Sequence, residues 1–181
     1  REFLHWAREA GISHVMLYAF SNENWNRSSE EVSYLMKLLK RACAKEAAYF
    51  KKENVRMQVI GERARLPHDV LEAIEHAEKE TDHCTGETLV LAISYGARDE
   101  LVEAARKLCG KMPEEITKES FANKLHTAGM PDPDIIIRTS GEQRLSNFLL
   151  WQAAYSELFF IKTLWPDFSK EEFFEILEQY R

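Results

Sequence analysis

The stretch RTSGEQRLSN, Arg138 to Asn147, sets Arg138, Arg144 and Ser146 around a turn that Gly141 permits. Two guanidinium groups and a hydroxyl this close in sequence can wrap an anion with several oxygens, because each planar fork offers bidentate, charge-assisted hydrogen bonds. The competing reading is a solvated surface loop whose arginines pair with Glu142. A second polar cluster, FSNENWNR (Phe20 to Arg27), presents Ser21, Asn22, Glu23, Asn24 and Arg27 beside Trp25. Capping of a following helix accounts for Ser28, but it does not call for four consecutive polar residues ahead of a tryptophan. The third candidate is Glu157 in AAYSELFF, a carboxylate among aromatic and apolar neighbours. If buried there it needs an arginine or a cation, since an unpaired buried charge is costly. On the residues alone the arginine partner is preferred. A Mg²⁺ ion would take one or two carboxylates together with phosphate oxygens and water, so a second carboxylate is expected elsewhere.

These clusters gain weight from the elements that must carry them. Four apolar runs read as strands: His14 to Phe20, Val55 to Gly61, Thr88 to Tyr95 and Asp134 to Arg138. The first and third are nearly continuous, as in strands covered on both faces, while VRMQVIG alternates and suits an edge. Helical patterns lie between them. Ser28 with Glu31 forms a capping box ahead of Val32, Leu35, Met36, Leu39, Cys43 and Phe50, and Ser169 with Glu172 forms another near the end. Pro67 opens a helix carrying Val70, Leu71, Ile74 and Ala77. Alternating strands and helices predict an α/β fold, a single domain over residues 1–181 with a mostly parallel central sheet flanked by helices. Ligands of such folds bind beyond the carboxyl ends of the strands. Those ends read SNENWNR, GERARLP, YGARDE and TSGEQRLSN.

Composition narrows the partners. The net charge of −6 disfavours a general nucleic-acid binder. Three well-separated cysteines, Cys43, Cys84 and Cys109, read as buried free thiols of a reducing compartment. No run approaches a membrane span. The six histidines lack metal-ligand spacing, and neither a P-loop nor a dinucleotide glycine fingerprint nor a nucleophile elbow occurs.

FSNENWNR, together with RTSGEQRLSNFLLWQAAYSELFF and LWPDF (Leu164 to Phe168), resembles the cis-prenyltransferases, and the undecaprenyl diphosphate synthases of bacteria most of all. The resemblance runs through essentially the whole chain. ISYGARDEL also matches, except that Ala97 stands where the family commonly has a second glycine. It implies a cytoplasmic transferase that adds isopentenyl diphosphate to an allylic diphosphate, farnesyl diphosphate above all, with Mg²⁺, giving a long Z-configured polyprenyl diphosphate. It also implies a homodimer, a hydrophobic tunnel between helices and a peripheral membrane contact for product release. The alternatives are a non-catalytic partner subunit, which the intact motifs disfavour, and a family member making a short or branched product.

Carried onto this chain, the resemblance casts Arg138, Arg144, Leu145 and Ser146 as ligands of the isopentenyl diphosphate head group and Glu157 as the Mg²⁺ ligand. Ser21, Asn22, Glu23, Trp25 and Arg27 would bind or position substrate. Asn24 is the catalytic candidate. An amide is a poor base, so the expected role of Asn24 is orientation, with the departing diphosphate taking the proton. The family's Asp-bearing N-terminal segment, of the MDGNGRWA type, is not within these 181 residues and is expected to lie upstream of them.

Overall fold

A computed structural model describes residues 1–180. The chain divides into two compact units, residues 1–96 and 97–181.

The first unit begins with α1 (Glu2–Glu9) and then enters β1 (His14–Ser21). A short 3₁₀ turn (Asn22–Asn26) leads to the long helix α2 (Ser29–Lys52), whose entry Ser28 caps by accepting the Glu31 N–H. There follow β2 (Arg56–Ile60), α3 (His68–Thr81) and β3 (Thr88–Tyr95). The strands form one parallel sheet in the order β1-β3-β2. Central β3 is buried along nearly its whole length, as its continuous apolar run predicts. The similar run in β1 does not behave alike: only Val15 and Phe20 are buried. Among the described residues β1 is hydrogen-bonded to β3 alone, so it is an edge, and an edge leaves part of each face open.

The alternating β2 is the other edge, as expected. Its outward amides are covered by α3. The Met57 N–H donates to Thr81 Oγ1 (3.0 Å) and the Val59 N–H to Glu78 Oε1 (2.8 Å). Side chains one helical turn apart thus satisfy donors two residues apart, which blunts an edge that would otherwise invite pairing. The same Glu78 carboxylate receives both Arg63 guanidinium nitrogens, at 2.7 and 2.9 Å, fastening the loop after β2. Met36, Cys43, Ala47 and Phe50 of α2 are buried, as are Val70, Ile74 and Ala77 of α3, while Val32, Leu35 and Leu39 pack half-buried against this core.

The second unit holds α4 (Ala97–Lys107), a short α5 (Lys118–Ala122), β4 (Ile135–Arg138), β5 (Glu157–Phe160) and α6 (Lys170–Tyr180). Strands β4 and β5 pair in parallel, Ile135 opposite Glu157 and Arg138 opposite Phe160. Four residues from an aromatic run carry no period of their own, so β5 is not apparent in the sequence. The second capping box opens α6, where the Glu172 N–H reaches Ser169 Oγ at 3.2 Å.

Candidate active site

In the first unit the FSNENWNR cluster emerges from the carboxyl end of β1, as the fold class requires. Asn24, half-buried, turns its amide oxygen back to accept the Ser21 N–H at 2.9 Å. That contact engages the amide oxygen, and the NH₂ group is the donor end of the side chain. Trp25 is fixed from three directions. Its Nε1–H donates to Ser94 Oγ (2.9 Å), its ring meets Phe20 edge to face (5.0 Å between centroids), and the Arg65 guanidinium lies 5.0 Å from its centroid. That distance is within cation–π range. Ser94 Oγ also donates to Asn22 Oδ1 at 3.3 Å. Glu23 and Arg27 are exposed, Arg27 in an ion pair with Glu31 one turn into α2.

Ser94 and Arg65, which hold Trp25 in place, are residues that the sequence did not single out. Ser94 sits in a left-handed conformation, φ 52°, at the end of the central strand, and its carbonyl accepts the Glu62 N–H at 2.9 Å. That contact brings the loop after β2, and Arg65 within it, to the loop after β1. The only signal available beforehand was position: both lie in segments that end strands.

In the second unit Arg138 closes β4, half-buried, and the chain turns into the RTSGEQRLSN loop. The Ser140 N–H donates to the Thr163 carbonyl (2.9 Å) and the Gly141 N–H to that of Ile161 (2.8 Å), so this turn is anchored beyond β5. Arg144 is exposed and pairs with Glu142, the contact foreseen by the surface-loop reading. Leu145 is half-buried, Ser146 exposed. Asn147, the last residue of the motif, accepts backbone donors from the start of α4.

Glu157 does not lie in the buried setting that its apolar neighbours suggest. It is exposed at the first position of β5, so the cost of a buried unpaired charge does not apply to it, and no buried arginine pairing is required. It also stands opposite Ile135, at the amino end of the two-stranded sheet, whereas Arg138 is at the carboxyl end, opposite Phe160. Three residues of strand separate the two levels, about 10 Å. Among the described residues no group of three or more His, Cys, Asp or Glu side chains could by itself hold a metal ion. A single exposed carboxylate does fit the donor chemistry of Mg²⁺, which draws most of its ligands from substrate oxygens and water.

Comparison with known proteins decides the family. A prenyltransferase family model described as "Putative undecaprenyl diphosphate synthase" matches residues 1–181. The chain is a cis-prenyltransferase of the undecaprenyl diphosphate synthase family. It is 55% identical over 180 residues to an isoprenyl transferase of Rhizobium meliloti, covering 96% of this chain and 73% of that protein. To the isoprenyl transferase of Thermotoga maritima it is 42% identical over 187 residues, covering 99% and 80%. Among solved structures, a probable undecaprenyl diphosphate synthase of Campylobacter jejuni superposes with a TM-score of 0.90 at 38% identity, over 99% of this chain and 85% of that one. Lavandulyl diphosphate synthase of Lavandula x intermedia, solved with dimethylallyl diphosphate, gives 0.93 at 34% identity, over 98% and 79%. This prenyltransferase therefore has the α/β fold with parallel strands expected of it. Among its described residues no helix is long and apolar enough to cross a membrane.

Proposed function

We propose that this prenyltransferase condenses isopentenyl diphosphate units onto an allylic diphosphate, farnesyl diphosphate being the expected primer, with cis geometry at each new double bond. The product is a long polyprenyl diphosphate of the undecaprenyl kind. One observation carries the reading at the level of residues: Arg138, Arg144 and an exposed Ser146 are gathered on one anchored loop that leaves the carboxyl end of β4. Arg144 already holds an anionic partner, Glu142. A diphosphate would replace that carboxylate with a more highly charged one and gain bidentate bonds.

In each cycle a bond forms between the terminal alkene carbon of isopentenyl diphosphate and the allylic carbon, whose bond to diphosphate breaks. The departing diphosphate takes the proton lost by the condensing unit. Arg138, Arg144, Leu145 and Ser146 hold the isopentenyl head group. Ser21, Asn22, Glu23, Trp25 and Arg27 bind and position substrate, and Asn24 orients the group that loses its proton through its NH₂ donor. Glu157 would hold Mg²⁺, and the ion would supply neutralisation of the charge growing on the leaving diphosphate. The apolar faces of α2 and α3 are proposed as tunnel walls for the growing chain. A homodimer is proposed through the aromatic stretch around β5, where Tyr155 is 98% exposed and Leu158 and Phe160 remain open. Release of the lipid product implies a peripheral membrane contact.

The test is kinetic. Arg138→Ala and Arg144→Ala each remove charge-assisted hydrogen bonds, at a cost of about 1.5–3 kcal/mol. The KM for isopentenyl diphosphate should rise at least tenfold in both, with the fold intact by circular dichroism. Unchanged kinetics in both variants would overturn the assignment.

A further inference from the structure

The segment that follows Arg144 is bent into an unusual backbone path. Ser146, Asn147 and Leu149 have φ angles of 50°, 64° and 39°. Residues other than glycine seldom enter this left-handed region, asparagine most readily of them, and they stay there only where their surroundings over-determine it. The surroundings here are the first turn of α4. The Ala97 N–H donates to the Asn147 carbonyl at 2.8 Å, and the Arg98 N–H donates to Asn147 Oδ1 at 2.8 Å. The first amides of a helix have no partner within it, so one distant asparagine satisfies two of them with its backbone and its side chain together. A second fastening follows five residues on. Gln152, buried, donates from Nε2 to Glu100 Oε2 (3.2 Å) and Thr127 Oγ1 (2.8 Å), and Glu100 Oε1 also accepts the His126 N–H (2.8 Å). With Ser140 and Gly141 bonded beyond β5, the loop is tied on both flanks of Arg144 and Ser146.

We propose that Asn147 is a positioning residue for head-group binding: by closing the first turn of α4 it holds Ser146 in its left-handed conformation and sets the direction in which Arg144 leaves the loop. The inference rests on reading Arg144 and Ser146 as diphosphate ligands. Asparagine suits the position twice. It tolerates positive φ, and it offers a neutral acceptor where an aspartate would set a negative charge beside the anion. A loop left to sample other conformations would bind the same groups less often in the right arrangement, which appears as weaker binding of one substrate, not as slower chemistry on both.

The test measures KM for isopentenyl diphosphate and for the allylic primer separately, with the full chain, in Asn147→Gly, Asn147→Ala and Arg144→Ala. Asn147→Gly accepts the left-handed backbone and loses the side-chain bond from Arg98. Its KM for isopentenyl diphosphate should rise about three- to tenfold, the effect of one hydrogen bond, while that for the primer stays within twofold. Asn147→Ala adds backbone strain and should show at least the same rise; if it fails to fold, Asn147→Gly decides alone. A merely structural role would lower the melting temperature and the active fraction while leaving both KM values in place, and that result overturns the proposal. So does a rise of both KM values together. Arg144→Ala separates the two levels. If it raises the KM and Asn147→Gly does not, positioning by Asn147 is wrong and the head-group site stands. If Arg144→Ala changes nothing, the head-group site itself is wrong and the role of Asn147 falls with it.

Discussion

Gly61 offers a sharp test of how the polar loops of the first unit are held. It follows β2 directly, with φ +120°, and a Cβ there would lie 2.0 Å from the Ile93 carbonyl oxygen and 3.0 Å from that of Ser94. Both neighbours are backbone of the central strand, whose Ile93 and Ser94 are fully buried. They cannot step aside as a side-chain tip would. In Gly61→Ala the chain after β2 must therefore retreat by roughly an ångström, an overpacking cost of about 1–3 kcal/mol. The backbone conformation adds a further ~1–3 kcal/mol for any residue with a Cβ. Gly11→Ala is the control, because Gly11 has φ +75° but nothing within 4 Å of its would-be Cβ, so it carries the conformational term alone. A chain of this size loses about 2–4 °C per kcal/mol. Gly61→Ala should thus melt roughly 5–20 °C below the parent by circular dichroism, and clearly below Gly11→Ala. It should also weaken primer use, since the displaced loop carries Arg65 away from Trp25. Equal melting temperatures for the two variants would refute the close-approach argument.

Glu157→Gln should raise the Mg²⁺ concentration needed for half-maximal activity; an unchanged Mg²⁺ titration would remove Glu157 from the metal. Leu39→Trp should shorten the product on chromatography if the α2 face lines a tunnel, whereas full-length product with stability lower by about 1–3 kcal/mol would mark Leu39 as an ordinary packing position. Burial, with the Glu78 charge adding to it, pushes the Cys43 thiol up to about 11, and Cys84 is buried too, whereas Cys109, contrary to the expectation of three buried thiols, is exposed. Disulfide reagents at pH 8 should titrate one thiol in the native protein and three in denaturant, since a thiol near 11 is only about one part in a thousand thiolate at that pH; rapid native modification of Cys43 would contradict its placement.

The sequence by itself determined α2 and α6 and their starts, because capping by Ser28 and Ser169 and the apolar stripe of α2 act within a few residues of one another; the short α5 carries no such stripe. It determined β3 as a strand as well, from a nearly continuous apolar run across its eight residues. The motifs carried the family and the candidate residues, since those residue types persist wherever the loops end up. Three things were decided only by tertiary structure. The similar runs of β1 and β3 differ in burial because edge or centre is a property of strand order, which local composition does not encode. The strand β5 exists through its pairing with β4, and that pairing is what places Glu157 in the open instead of in the apolar setting its neighbours suggest. The partners that hold the candidate groups in place, Ser94 and Arg65 for Trp25 and the α4 amides for Asn147, lie about forty to seventy residues away along the chain. Hydrogen bonds between such distant residues form only after the backbone has brought their elements together, and no periodicity or spacing in a linear sequence records them.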